Sequence, residues 1–187
     1  MKTLWKCMIQ PKLDYCSQLW SPGDQISINL IEAVQRHFLY RVAGMENMHH
    51  WDRLKQLGLY SQERRRERYM VLFLWKISEG LVHGYDVTFV DSGRRGRMAI
   101  PKPIIAAAPA AVKRAREASL GVKGSRLFNL LPDQIRNMKS CTVDQFKAAL
   151  DTFLRTVPDQ PTIVGTSRAA ETNSLIHQLT MRADLQL

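Results

Sequence analysis

Three segments of the chain repeat apolar residues with the 3.6-residue period of an α-helix. They cover residues 24–43, 61–79 and 142–155, and each opens with Asp, Ser or Thr, which are residue types that cap helix N-termini. Gly44 and Gly80 follow the first two segments, where glycine commonly ends a helix. A chain of 187 residues with three such amphipathic segments is predicted to be mainly α-helical.

The sequence between these segments predicts shorter helices. Residues 4–20 have the pattern of a helix that Pro11 kinks or divides, because proline lacks the N–H that an interior position needs. Residues 49–57 form a second short helix that ends at Gly58. An alanine-rich helix is expected to begin near residue 110.

The organisation of the chain is predicted from the regions where this helical pattern weakens. Residues 85–103 are expected to form a short irregular or β segment, with 98–100 as its strand. One helical domain is predicted over residues 1–158, followed by a flexible tail, 159–187. Within this tail, residues 169–181 are compatible with one helix.

Composition excludes a membrane-spanning or disulfide-stabilised fold. No run approaches the roughly 18–20 uncharged apolar residues that a bilayer helix needs. Lys6 and Lys12 interrupt the apolar N-terminal stretch, so it is not expected to be a signal peptide. The cysteines, Cys7, Cys16 and Cys141, lack metal-binding spacing. We therefore expect an intracellular, reducing location without a membrane partner, and buried thiols at Cys7 and Cys16.

The positive charge is concentrated in the middle of the chain. The formal net charge is +10, from 27 Lys and Arg against 17 Asp and Glu, and all of this excess lies between residues 36 and 126. Such a basic region attracts phosphate backbones or anionic surfaces at long range. The alternative is that the basic side chains only solvate helix faces.

The basic side chains of this region fall into four groups. Arg36 and Arg41 lie outside the apolar arc of their helix, and Glu32 is placed to pair with Arg36. The 61–79 helix opens with QERRRERY, whose arginines oppose the helix dipole, so that a nearby phosphate would stabilise them. The remaining groups are a glycine-flanked loop and the end of the alanine-rich helix. The candidate nucleic-acid contacts are Arg36, Arg41, Arg64, Arg65, Arg68, Arg94, Arg95, Arg97, Lys113, Arg114 and Arg116.

No motif of the sequence carries catalytic chemistry. Phosphate-binding glycine loops, the GxSxG elbow, HExxH and zinc-type cysteine spacing are all missing from the sequence. His49 and His50 have no carboxylate or thiol at ligand spacing, and the acidic residues occur without an adjacent Asp pair. We predict no catalytic residue, metal ligand or cofactor.

Five blocks of the sequence resemble, in the same order, the region that follows the palm in non-LTR retrotransposon reverse transcriptases of the jockey-like kind. They read LWKCMIQPKLDYCSQLWSP, INLIEAVQRHFLYRVAGM, WDRLKQLGLYSQERRRERYMVLFLWKISEGLV, GSRLFNLLPDQIRN and VDQFKAALDTFL. The blocks extend from about Leu4 to Leu154 and cover most of the chain. Their shared order makes the resemblance more specific than any single block does.

The resemblance implies a thumb-like helical domain and the connecting region beyond it, a unit that grips the template–primer duplex. In this family the catalytic aspartates, which use Mg²⁺, lie upstream in the palm, and neither matching motif is in this chain. The exposed basic residues of the 24–43 and 61–79 helices would then face nucleic-acid backbone. The loop at residues 94–97 would provide a second contact.

The function implied is that of a reverse-transcriptase fragment that binds RNA, DNA or an RNA–DNA hybrid without sequence preference. The fragment is expected to be inactive alone, with a palm-containing polymerase as a further partner in trans. The family implies a nuclear location, and a cytoplasmic one is also open. Two alternatives stand beside this interpretation: a helical protein-interaction module, and a remnant without function.

Overall fold

The computed structural model describes residues 2–84, 90–91, 98–100, 109–161 and 172–184. Over these residues the fold is mainly α-helical, which confirms the predicted class. Two π-helical turns, Trp5–Ile9 and Leu120–Gly124, lie directly before α2 and α8. The helices are α1 (Lys2–Leu4), α2 (Gln10–Asp14), α3 (Ser17–Trp20), α4 (Gln25–Tyr40), α5 (His50–Leu57), α6 (Gln62–Ser78), α7 (Ala110–Ala118), α8 (Ser125–Asn129), α9 (Asp133–Arg136), α10 (Val143–Thr156) and α11 (Leu175–Asp184).

The first helical segment changes next to Pro11, as the sequence predicts, because the π-helical turn Trp5–Ile9 ends directly before α2 and Pro11 occupies the first turn of α2. A second break, which the sequence does not predict, separates α2 from α3. The break lies at Tyr15 and Cys16, where Tyr15 is not helical and Cys16 adopts a left-handed conformation with a φ of 50°. The indole Nε1 of Trp20 donates to the carbonyl oxygen of Tyr15 at 2.6 Å, and this hydrogen bond connects the two sides of the break.

Side-chain caps begin the three long helices where the sequence predicts them. A carboxylate oxygen of Asp24 accepts from the N–H of Ser27 at 2.8 Å at the start of α4. The hydroxyl of Ser61 accepts from the N–H of Arg64 at 3.1 Å at the start of α6. Thr142 opens α10 with a complete capping box. Such caps satisfy N–H groups that a helix N-terminus leaves unpaired.

Helix α6 lies at the centre of the core, with α8 and α10 packed against it. The rings of Trp75 and Phe146 stack at 4.3 Å, and the indole Nε1 of Trp75 donates to the carbonyl oxygen of Met138 at 2.9 Å. Gly124 packs so closely that a Cβ there would lie 2.9 Å from Leu74 Cδ1. The fully buried apolar side chains of this core include Met70, Val71, Leu127, Phe146, Leu150 and Leu175.

A two-residue strand pair lies within the region predicted to be irregular or β. Strand β1 (Val90–Asp91) pairs antiparallel with β2 (Met98–Ala99). Ile100 follows β2, and its N–H and carbonyl both bond to the side-chain amide of Asn129, at 2.9 and 2.8 Å. The amide connects the strand pair to α8. The predicted basic loop at residues 94–97 lies outside the described residues.

The described end of the chain packs against α6, beyond residue 158, where the sequence predicts the end of the domain. The N–H of Asn173 donates to Glu63 Oε2 at 3.1 Å. Glu67 accepts from the hydroxyl of Ser174 at 2.7 Å and from the N–H of Leu175 at 2.6 Å. Leu175 is fully buried in the core. The side chains of Glu63 and Glu67 on α6 therefore accept the hydrogen bonds that hold the start of α11.

Apolar exposure is concentrated in the N-terminal part of the fold. Among the described residues, the structure exposes thirteen large apolar side chains, and nine of them lie within residues 4–40. These nine are Leu4, Met8, Tyr15, Leu19, Trp20, Ile26, Leu30, Val34 and Tyr40. The described helices include none long and apolar enough to cross a lipid bilayer.

The prediction of buried thiols at Cys7 and Cys16 is wrong. Cys7 is exposed, and Cys16 is half-buried at the break between α2 and α3. The buried side chains of this part of the chain are instead those of Trp5 and Gln10, which hydrogen-bond to each other at 2.7 Å. Cys7 lies in the π-helical turn Trp5–Ile9, whose buried residue is Trp5.

Candidate nucleic-acid interface

The first half of α6 contains four arginines, and the structure buries Arg64 completely. The guanidinium of Arg64 donates to the carbonyl oxygens of Val157 and Pro158, at 3.4 and 2.8 Å. Its Nε lies 4.0 Å from a carboxylate oxygen of Asp159. Arg64 therefore holds the chain that leaves α10 against the N-terminus of α6.

Arg65 and Arg68 are half-buried and each binds an aspartate with two nitrogens. Arg65 Nε and Nη2 donate to Asp14 at distances between 2.7 and 3.0 Å. Arg68 Nε and Nη2 donate to Asp151 at 2.5 and 2.7 Å. The hydrogen bonds from Arg68 to Asp151 raise the pKa of the Arg68 guanidinium above its usual range. These two arginines connect α6 to α2 and α10.

The expectation that Arg64, Arg65 and Arg68 are exposed toward nucleic-acid backbone is therefore wrong, because none of the three is exposed. Arg64 shares a face of α6 with Val71 and Trp75, which follow it by seven and eleven positions and are buried in the core. Other elements cover the remaining sides, because α6 is surrounded by packed chain rather than lying at the surface. The charges are balanced by aspartates far away in sequence, so the helix needs no phosphate at its N-terminus.

Arg66 is buried without a carboxylate partner among the described residues. Its guanidinium lies 3.8 Å from the ring centroid of Trp20, and its Nη2 donates to the carbonyl oxygen of Leu13 at 3.4 Å. The Nε and Nη1 atoms have no hydrogen-bond partner in the described part of the chain. Burial lowers the pKa of Arg66 to about 10. Arg66 is thus a poorly satisfied internal cation.

Two glutamates and a lysine lie beside these arginines. Glu67 is buried and forms an ion pair with Lys123 at 3.0 Å. Burial raises the pKa of Glu63 to about 8, and the negative charge of Glu67 adds to this effect. Burial opposes the charged form of Lys123, but Glu67 and Glu63 raise its pKa overall. The protonated form of Glu63 is therefore favoured relative to that of a solvent-exposed glutamate.

Glu32 does not pair with Arg36, contrary to the sequence-based expectation. It is buried, with one carboxylate oxygen 3.0 Å from His50 Nε2 and the other accepting from the N–H of Gln62 at 2.8 Å. The inner face of α4 buries Glu32 and Gln35 beside Leu39 of the predicted apolar arc, whereas Val34 of that arc is exposed. A carboxylate of α4 therefore caps α6, and Arg36 is left in solvent.

The remaining candidates divide into exposed cations and residues outside the described ranges. Arg36 and Arg41 are exposed at the C-terminal end of α4. On α7 three cations are exposed within four positions of one another, namely Lys113, Arg114 and Arg116. Within the described part of the chain, none of these five side chains forms an ion pair. Arg94, Arg95 and Arg97 lie outside the described residues.

A groove separates α7 from α11, and we call it the α7–α11 groove. Helix α7 packs closely on the turn before α4, because a Cβ at Gly23 would lie 2.9 Å from both the carbonyl oxygen of Arg114 and the Cβ of Ala118. The groove has a volume of about 410 Å³. The side chains that line it include Arg114, Glu117, Lys123, Arg126, Ser174, Ile176, His177 and Thr180.

Sequence reasoning missed Arg126 and His177 as groove residues. Arg126 belongs to the basic middle region, and this signal alone could have included it. His177 lies on α11, whose position against α7 depends on contacts between distant residues. Among the described residues, no three His, Cys, Asp or Glu side chains lie close enough to hold a metal ion.

Comparison of the chain with family models, with curated proteins and with solved structures finds no match.

Proposed function

We propose that the chain binds the phosphate backbone of RNA, DNA or an RNA–DNA hybrid without sequence preference, as a helical fragment related to retrotransposon reverse transcriptases. The ordered sequence blocks between Leu4 and Leu154 support the relationship. The mainly helical fold is compatible with a thumb-like unit. In this proposal a palm-containing polymerase would supply the catalysis in trans.

The exposed cations of α7 are the observation that carries the binding proposal. Lys113, Arg114 and Arg116 are solvent-exposed and form no ion pairs within the described residues, so little desolvation opposes their contact with phosphate. Arg36 and Arg41 extend the basic surface at the end of α4. Arg64, Arg65 and Arg68 of α6 do not contribute to this surface, because aspartates balance their charges.

The mechanism is neutralisation of phosphates with release of counterions. If four to six phosphates are contacted, the logarithm of the binding constant should fall with the logarithm of salt concentration at a slope of about −3 to −5. Fluorescence anisotropy with a short RNA–DNA hybrid, titrated at several salt concentrations, measures this slope. Retained binding with a slope near zero would contradict the mechanism.

A charge-reversal variant tests which surface binds. Replacing Lys113, Arg114 and Arg116 together by Glu should abolish hybrid binding, whereas the fold should be retained because these side chains are exposed. The matched control replaces Lys12, Lys139 and Arg155 by Glu, which changes the net charge equally at exposed positions away from α7. Equal losses in both variants would show that net charge, rather than this surface, is responsible.

A second candidate function, a protein-interaction module, is favoured by the apolar exposure within residues 4–40. Ile26, Leu30 and Val34 recur at four-residue spacing and form one exposed stripe along α4. This function predicts that the α7 charge reversal leaves the association with a protein partner unchanged. Replacing Leu30 by Ser should instead weaken the association, which pull-down with a purified partner or sedimentation would measure.

A further inference from the structure

The α7–α11 groove has the size of a site for one small ligand. Its volume of about 410 Å³ falls within the range of roughly 300–1,000 Å³ that is typical of ligand pockets. Pro22, Ile28 and Ile176 give the lining an apolar part, on which a ring system can pack. The remaining lining is polar and mainly basic, so the two parts offer different chemistry to the two ends of a ligand.

The basic part combines arginines with hydroxyl and imidazole groups. Arg114 of α7 and Arg126 of α8 are exposed at the groove and form no ion pair within the described residues. His177 and Thr180 line the same groove from α11, and Ser174 precedes that helix. Guanidinium groups bind phosphate oxygens with two parallel hydrogen bonds. The hydroxyl of Ser174 already donates to Glu67, and that of Thr180 donates to the carbonyl oxygen of Ile176, so the arginines are the donors that the proposal assigns to a phosphate.

The incompletely satisfied guanidinium of Arg66 lines a small cavity next to the groove. This cavity has a volume of about 10 Å³ and shares Pro22, Ile28, Glu63 and Lys123 with the groove. The Nε and Nη1 atoms of Arg66 are buried and have no hydrogen-bond partner among the described residues. A buried cation in this state is energetically costly, and a nearby anion would lower that cost.

The acidic groups of the groove do not cancel this positive charge. Burial and the adjacent Glu67 raise the pKa of Glu63 to about 8, which favours its neutral form. Lys123 and Glu67 neutralise each other as an ion pair. Glu117 is the remaining carboxylate of the described lining, and its one negative charge is smaller than the combined positive charge of Arg114 and Arg126. The groove therefore carries a net positive charge at neutral pH.

We propose that the α7–α11 groove binds a phosphomonoester of nucleotide size, with its phosphate between Arg114 and Arg126 and its ring system on the apolar lining. This inference goes beyond backbone binding, because a phosphomonoester carries a terminal phosphate that a continuous backbone lacks. The phosphate can belong to a free nucleotide or to the end of a nucleic-acid strand. The chemistry of recognition is the same in both cases.

Calorimetric titration of the full chain with adenosine 5′-monophosphate, and with adenosine, tests the proposal. The monophosphate should bind at least about tenfold more tightly than the nucleoside, because only the former reaches the arginines. Arg126→Ala should weaken monophosphate binding about tenfold. The matched control is Arg155→Ala, which removes an exposed arginine of α10 outside the groove and should leave binding unchanged. Equal affinities for the two compounds, or equal losses in the two variants, would overturn the proposal.

A second titration distinguishes the two sources of phosphate. A short RNA with a 5′-phosphate is compared with the same RNA carrying a 5′-hydroxyl. Tighter binding of the phosphorylated strand, lost in Arg126→Ala, supports a strand end as the ligand. Equal binding of the two strands, together with monophosphate binding, supports a free nucleotide. Binding of the hydroxyl strand without monophosphate binding would overturn the groove proposal and retain backbone binding. Monophosphate binding without binding of the hydroxyl strand would support the groove proposal and overturn backbone binding.

Discussion

The arginines of α6 and those of α7 are the same residue type in similar sequence surroundings, but they have opposite roles in the fold. On α6, Arg64, Arg65 and Arg68 meet aspartates that come from three other parts of the chain. On α7, Arg114 and Arg116 remain in solvent without ion pairs in the described residues. A basic run therefore predicts a basic surface only when no acidic partner packs over it.

Among the variants that test this comparison, the removal of the fully buried Arg64 should have the largest effect on stability. Arg64→Ala leaves two carbonyl groups and Asp159 without their cation, and we expect a loss of about 3–5 kcal/mol in the free energy of unfolding. Urea denaturation followed by circular dichroism measures the loss. Arg155→Ala, at an exposed position of α10, is the control. Similar values for the two variants would show that Arg64 is not a structural residue.

The protonation of Glu63 should make stability depend on pH. Its pKa is about 8 in the folded chain and near 4.5 when unfolded, so the folded state binds the additional proton between these values. Stability should therefore fall by a few kcal/mol, on the order of magnitude of this shift, as pH rises from about 4.5 to about 8. The groups that set the shift are Glu67, Lys123, Glu32 and the backbone of Asn173.

The Glu63→Gln variant isolates this contribution from the other titrating groups. Glutamine keeps an oxygen that can accept the hydrogen bond from Asn173, but it does not ionise. Thermal or urea unfolding at about pH 5 and about pH 8 should show a smaller difference in the variant than in the parent chain. Parallel pH profiles of the two proteins would contradict the raised pKa.

The pair of Arg68 and Asp151 should show an intermediate effect. Both side chains are mostly buried, at 13% and 26% exposure, and two hydrogen bonds connect them. A double-mutant cycle with Arg68→Ala and Asp151→Ala should give a coupling energy of about 1–2 kcal/mol. A coupling energy near zero would mean that Arg68 contributes as little to stability as the exposed arginines of α7.

The smallest effect on stability is expected on α7. Replacing Lys113, Arg114 and Arg116 together by Ala should change the free energy of unfolding by less than about 0.5 kcal/mol, because exposed side chains without ion pairs contribute little. The same variant should lose most of its affinity for an RNA–DNA hybrid in the anisotropy experiment. A large loss of stability would mean that α7 uses these cations to hold its own position.

The long helices could be predicted from the sequence because their signals are local. Asp24, Ser61 and Thr142 cap their helices as predicted, and Gly58 takes the left-handed conformation expected of a helix end. Each of these decisions depends on residues within one or two helical turns. The change of element directly before Pro11 follows a local signal in the same way, whereas the break at Tyr15 and Cys16 was not predicted.

The placement of charge could not be predicted in the same way. Periodicity over Met70, Leu74 and Ile77 leaves Arg64 outside the predicted apolar stripe of α6, but whether its side of the helix meets water depends on tertiary packing. Val157, Pro158 and Asp159 cover it from more than ninety positions away. Glu32 illustrates the same limit, since its partner His50 lies on another helix. A single sequence contains no local signal for such pairs.

The carboxylates that hold the start of α11 also impose an order on biosynthesis. Glu63 and Glu67 leave the ribosome more than a hundred residues before their partners at 173–175, as the sequence separations of 107 to 110 show. Until that segment emerges, a nascent chain carries two acidic side chains that the finished fold shields, and the N-terminus of α6 lacks Asp159 as well. We expect the central helix to be completed only after residues 173–175 have been synthesised, so that the shorter nascent chain is the form more exposed to chaperones and proteases.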